Sequence, residues 1–134
     1  MKALLAVAGC CLLLSGCGGV GNGGSGCVEG LVLSTSPSTE IADHSAASPG
    51  NQQKFTSVMG PTVTGTGCAL PESLIVVTPT WTNPDPLDIS ISSAPDETNG
   101  TAVCTAATLA PVTLTATETY SSKTYTSSVT LTCK

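Results

Sequence analysis

The sequence predicts an all-β domain, a sandwich of two antiparallel sheets, over residues 27–134. Three observations carry that prediction. Apolar residues alternate with Ser or Thr in short runs, turn-forming pairs separate those runs, and no long stretch free of Pro and Gly shows a helical period. Composition sets the outer limits on function. The chain has 134 residues, four Lys+Arg against nine Asp+Glu, one His, and 37 Ser plus Thr. It has no Arg and a net charge of -5, so it lacks the means to grip phosphate bidentately or to neutralise a nucleic acid backbone. Nucleic acid is therefore not an expected partner. A single His excludes any mechanism that needs two imidazoles.

The strands follow in order. Leu74 to Thr78 is a short apolar run, expected as a more deeply buried strand. Asp88-Ile89-Ser90-Ile91-Ser92 alternates cleanly, as do Val112 to Thr117 and Val129 to Cys133. Thr suits the outer face of such strands, because its branched carbon packs on the pleat while the hydroxyl stays in water. Pro49-Gly50, Gly60-Pro61, Asn83-Pro84-Asp85-Pro86 and Asn99-Gly100 break the runs.

Ahead of the domain, Met1-Lys2 and the apolar run Ala3 to Leu14 have the form of an export signal, too short to span a bilayer. The run closes on Leu14-Ser15-Gly16-Cys17, which resembles the lipobox of bacterial lipoproteins. The resemblance implies a signal peptide over 1–16, cleaved before Cys17, and a lipid on the Cys17 thiol. Val7-Ala8-Gly9-Cys10 also fits the tetrapeptide but leaves an apolar run of about half the usual length. Each buried lipid methylene contributes about 0.8 kcal/mol, so several acyl chains anchor a protein stably. Gly18 stands where lipoproteins of the inner membrane often carry Asp, which points to the outer membrane or cell surface of a bacterial envelope. Residues 18–26, of which six are Gly, read as a flexible tether with a reach of roughly 15–20 Å.

Within the domain, Ser36-Pro37-Ser38, Gly50 ahead of Gln53-Lys54-Phe55-Thr56, and Thr80-Trp81-Thr82 before Asn83-Pro84 resemble bacterial Ig-like domains. Gly100-Thr101-Ala102-Val103 and Val112 to Ala116 extend the likeness over roughly residues 31–133. The resemblance implies that Trp81 lies on the third strand and fills the space between the sheets, with Phe55 also in the core. The chain departs from the family's pattern between Cys104 and Pro111 and in its four domain cysteines. Cys27, Cys68, Cys104 and Cys133 are an even number in an exported chain, so disulfides are expected, in one of three pairings. Ig-like topology implies Cys27–Cys68 at one pole and Cys104–Cys133 at the other. A four-thiolate metal site is disfavoured, because zinc pairs come at two- to four-residue spacing.

Other residues invite chemistry more weakly. Asp43-His44-Ser45 holds the three residue types of a catalytic triad, but adjacent residues point apart and a triad is assembled from distant positions. Asp85, Asp88, Asp96 and Glu97 lack the alternating spacing of a calcium loop. Asn99-Gly100-Thr101 matches a glycosylation sequon but reads first as a turn. Tyr120 and Tyr125 flank a loop tip, where they either pack around the hairpin or contact a sugar or a protein. No nucleophile–base pair, metal motif or cofactor loop stands out. The expectation is a non-enzymatic module without cofactor, for adhesion, recognition or envelope structure, held at the membrane by lipid on Cys17 and facing an envelope protein or a glycan. The alternative is a small carbohydrate-binding module.

Overall fold

The computed structural model describes residues 27–69 and 73–134. The signal segment 1–16, Cys17 and the rest of the tether lie outside the described residues. The described chain is all-β, with ten strands: β1 (Val28–Ser36), β2 (Thr39–Ala42), β3 (Gln52–Lys54), β4 (Thr56–Thr64), β5 (Ile75–Val77), β6 (Thr80–Thr82), β7 (Ile89–Ile91), β8 (Thr101–Cys104), β9 (Val112–Tyr120) and β10 (Lys123–Cys133). They form three sheets, ordered β1-β4-β5, β3-β8-β7 and β2-β10-β9-β6. The expectation of two antiparallel sheets needs two amendments. β3 and β4 follow one another with only Phe55 between them, so two of the sheets are joined along one interrupted strand into a single layer. β2 runs parallel to β10, with Thr39 opposite Thr130 and Ala42 opposite Cys133.

The two layers enclose one core. Leu33, Met59, Ile89 and Ala102 from one layer meet Trp81, Leu114, Ala116, Val129 and Leu131 from the other, all buried. Alternation explains the membership. On β10, Val129, Leu131 and Cys133 point inward, while Thr130 and Thr132 between them are half-exposed. Phe55 is 1% exposed and sits at the β3–β4 break, its ring 6.0 Å from that of Trp81 and tilted to it.

Both disulfides pair as the Ig-like topology implied, one toward each end of the domain. Cys27 and Cys68 join beyond the Val28–Thr64 end of the β1–β4 strand pair, with Cα atoms 6.0 Å apart. Cys104 ends β8 and Cys133 ends β10, so their bond crosses between layers. At 1% and 2% exposure these two cysteines are also core residues.

The apolar run Leu74 to Val77 is the clearest correction. It forms β5, but Leu74, Ile75 and Val76 are 73%, 53% and 72% exposed. β5 is a three-residue edge strand bonded only to β4, so one of its edges and one of its faces have no covering layer. A continuous apolar run implies burial only where neighbours exist on both sides.

Candidate functional site

Beyond the core the two layers continue as two long antiparallel strand pairs that face each other. β1 pairs with β4 over nine positions, from Val28 opposite Thr64 to Ser36 opposite Thr56. β9 and β10 pair from Leu131 opposite Val112 to Lys123 opposite Tyr120. The two strand pairs touch where the Thr35 and Ser127 hydroxyls share a hydrogen bond of 2.7 Å. Past that contact they part, leaving a cleft of about 410 Å³.

One wall is Glu29, Gly30 and Leu31 of β1; the other is Tyr120, Ser121, Lys123 and Tyr125. Strand alternation puts these side chains there. Counting outward from buried Leu33, Leu31 and Glu29 stay on the inward face of β1. On β9, Leu114 and Ala116 are inward and buried, so Glu118 and Tyr120 continue that face. Tyr125 opposes Glu118 and Lys123 opposes Tyr120, so the two tyrosines are diagonal neighbours, about 7 Å apart at Cβ. Tyr120 is 48% exposed, whereas Tyr125 is half-buried against the core. The tip that separates them is Ser121-Ser122, both in the left-handed region with φ of 49° and 64°. That pair of conformations is a two-residue hairpin turn matched to the strand twist. The cleft therefore combines two aromatic faces, a leucine, and one charge of each sign.

The remaining candidate residues are committed elsewhere. Trp81 is 7% exposed on β6; its backbone N–H donates to Ser93 Oγ at 2.8 Å and its Nε1 donates to Asn99 Oδ1 at 3.1 Å. It offers no face to a ligand. Asn99 is an interior residue, and its Nδ2 also donates to the carbonyls of Pro79 and Ala94, each at 3.0 Å. Reading Asn99-Gly100 as a turn captures the backbone but misses this role. The turn is real: Gly100 has φ of 75°, and a Cβ on it would stand 2.2 Å from the Phe55 carbonyl oxygen. An occupied side chain in the interior also argues against Asn99 as a sugar acceptor.

Asp43, His44 and Ser45 form no triad. Ser45 donates to Asp43 Oδ1 from both its N–H (2.9 Å) and its hydroxyl (2.7 Å), and the His44 ring contacts the Lys134 carbonyl oxygen. The two bonds from Ser45 hold the Asp43 carboxyl below the usual carboxylate range. Asp96 is lowered the same way by Thr98, whose hydroxyl and N–H donate to Oδ1 at 2.6 and 2.8 Å. Lys54 spans from β3 to the same turn, donating from Nζ to the carbonyls of Glu97 and Asn99. Asn83 ties its own turn, accepting from the Asp85 N–H at 2.9 Å and donating to the Ile89 carbonyl at 2.6 Å. These acids and their neighbours are turn-makers. Among the described residues, no three His, Cys, Asp or Glu side chains converge in a way that would hold a metal ion.

Compared with known proteins, the chain matches no family model and no curated protein sequence.

Proposed function

We propose that the chain is a bacterial envelope lipoprotein, anchored through lipid on Cys17, whose domain is an Ig-like module for adhesion, recognition or envelope structure. The strand order supports the Ig-like reading. A β3–β4 strand bonded to β8 and β8 to β7, facing β10-β9-β6, resembles the ABED/CFG arrangement of that sandwich, with β2 like a first-strand segment laid parallel on the last and β5 as an added edge strand. The lipobox-like Leu14-Ser15-Gly16-Cys17 supports the anchor. A non-catalytic role is supported by the commitment of His44, Ser45 and the acids to local hydrogen bonds.

The observation that carries recognition is the cleft, where Tyr120 and Tyr125 share one face opposite Leu31. The same observation favours the second reading, a carbohydrate-binding module, because paired aromatic faces stack on sugar rings while flanking polar groups fix their hydroxyls. Trp81 takes no part in that platform. Glycan and envelope-protein screens with the soluble 27–134 fragment test both readings, with Tyr120→Ala as the comparison. A glycan hit lost in Tyr120→Ala selects the carbohydrate reading. A protein hit lost in the same variant selects adhesion, and hits that the variant does not affect discard the cleft.

A further inference from the structure

The sheet β1-β4-β5 has a second face, turned away from the cleft and the core. Register defines it: Val32 opposes Gly60, Ser34 opposes Val58, and Val58 opposes Val76, so these residues share the outer face with Val28. Leu74 joins them, lying over Gly60 so closely that a Cβ there would meet its Cδ2 at 2.6 Å. Val28, Val32, Leu74 and Val76 are 67%, 40%, 73% and 72% exposed. Of the ten large hydrophobic residues that the described domain exposes, six belong to this sheet and its lead-in: Val28, Leu31, Val32, Leu74, Ile75 and Val76. The three strands hold one charged residue, Glu29, and it points to the opposite face.

We propose that this outer face rests on the lipid surface, so that the domain lies down beside its own anchor rather than standing away from it. The inference rests on the reading of Cys17 as the lipid site. Three observations select lipid as the occupant. β1 begins one residue after Cys27 and eleven after Cys17, so the anchored chain enters the domain at the margin of this face. Among the described residues the face carries no charge in an acidic protein, so it is the side on which the domain approaches anionic headgroups with least repulsion. A handful of valines and one leucine fall short of the roughly 800 Å² per partner that a stable dimer buries in solution. A tethered domain needs far less affinity, because the tether holds it near the bilayer at an effective concentration of about millimolar. Apolar side chains then settle into the headgroup boundary as they do for interfacial helices.

The test uses the full lipidated chain in vesicles of phosphatidylethanolamine and phosphatidylglycerol whose acyl chains carry bromine, a contact quencher of indole. A tryptophan is placed at Val76→Trp or Leu74→Trp on the face, or at exposed Thr113→Trp on the opposite layer, with buried Trp81 as a constant background. Emission from the first two falls by roughly half on interfacial contact, and that from the third is unchanged. Adding Val32→Asp restores the emission while fatty-acid label on Cys17 stays. Equal quenching at all positions, or none while the label is present, overturns the proposal and leaves the anchor standing. Loss of label with Cys17 intact overturns the anchor and this inference together. A doubled mass in detergent that Val32→Asp abolishes assigns the face to a second copy and overturns the lipid reading.

Discussion

The indole Nε1 of Trp81 donates a 3.1 Å hydrogen bond to Oδ1 of Asn99, inside the domain. With its two Nδ2 bonds to Pro79 and Ala94, Asn99 satisfies three groups from two separate stretches of chain. Asn99→Ala leaves one donor and two acceptors unpaired, at about 1–3 kcal/mol for each group that water cannot reach. Trp81→Phe leaves only Oδ1 without its donor. Urea titration is expected to show Asn99→Ala as the more damaging change.

Gly100 and Gly67 form a matched pair, with φ of 75° and 76°. An alanine at either pays about 1–2 kcal/mol for the left-handed backbone. At Gly67 nothing lies within 4 Å of the new Cβ, whereas at Gly100 it strikes the Phe55 carbonyl. Gly67→Ala is expected to fold with a modest drop in melting temperature. Gly100→Ala should lose several-fold more stability, and equal losses would refute the steric account.

The two disulfides close loops of 41 and 29 residues, which by chain entropy contribute about 4 kcal/mol each. Burial separates them. Replacing Cys104 and Cys133 together by Ala also opens a hole between the layers, so this variant should unfold at lower urea than the Cys27→Ser, Cys68→Ser variant.

Acid should weaken the fold through Asp43 and Asp96. Both carboxyls titrate below the ordinary aspartate range in the folded chain, so their stabilisation is present above that range and is lost as pH falls through the folded value. Thermal melts at about pH 6 and about pH 2.5 are expected to differ less in the Asp43→Asn, Asp96→Asn variant than in the parent chain.

In the cleft, Tyr120 is half in solvent and Tyr125 leans on the core. Tyr120→Ala should change stability by no more than about 0.5 kcal/mol while weakening ligand binding about tenfold. Tyr125→Ala should reduce both, and calorimetry beside a melt separates the two effects.

Much of this was legible from residue order. The alternation at 112–117 and 129–133 falls within β9 and β10, and Asp88 to Ser92 brackets β7. Those strands have one wet face, so their pattern records their environment. β5 does not follow the pattern because it is an edge strand: Val77 packs on the core while Ile75 and Val76 are left exposed, and a sequence does not show whether a neighbour is present. The parallel pairing of β2 with β10 joins residues some 90 positions apart, and no local signal encodes it. The tip of the β9–β10 hairpin is Ser-Ser rather than Asn-Gly, so the usual mark of its turn is missing. Asn99 looked like a turn residue because its backbone is one; that its amide also braces Trp81 is a fact of packing. The cleft could be seen in part, as two tyrosines near a loop tip, but its second wall comes from β1, nearly a hundred residues away.

Cys27–Cys68 joins the first residue of the described domain to a point four residues past the end of β4, the strand that pairs with β1. A pull arriving through the preceding residues would otherwise start at Val28 and Thr64 and strip β1 away one ladder bond at a time. With a disulfide across that end, the first bonds cannot open singly. Tension is shared between both strands of the pair, and the nine-residue ladder has to slip as a whole. The domain is thus built to yield late and all at once under load, at the end where any tether would pull.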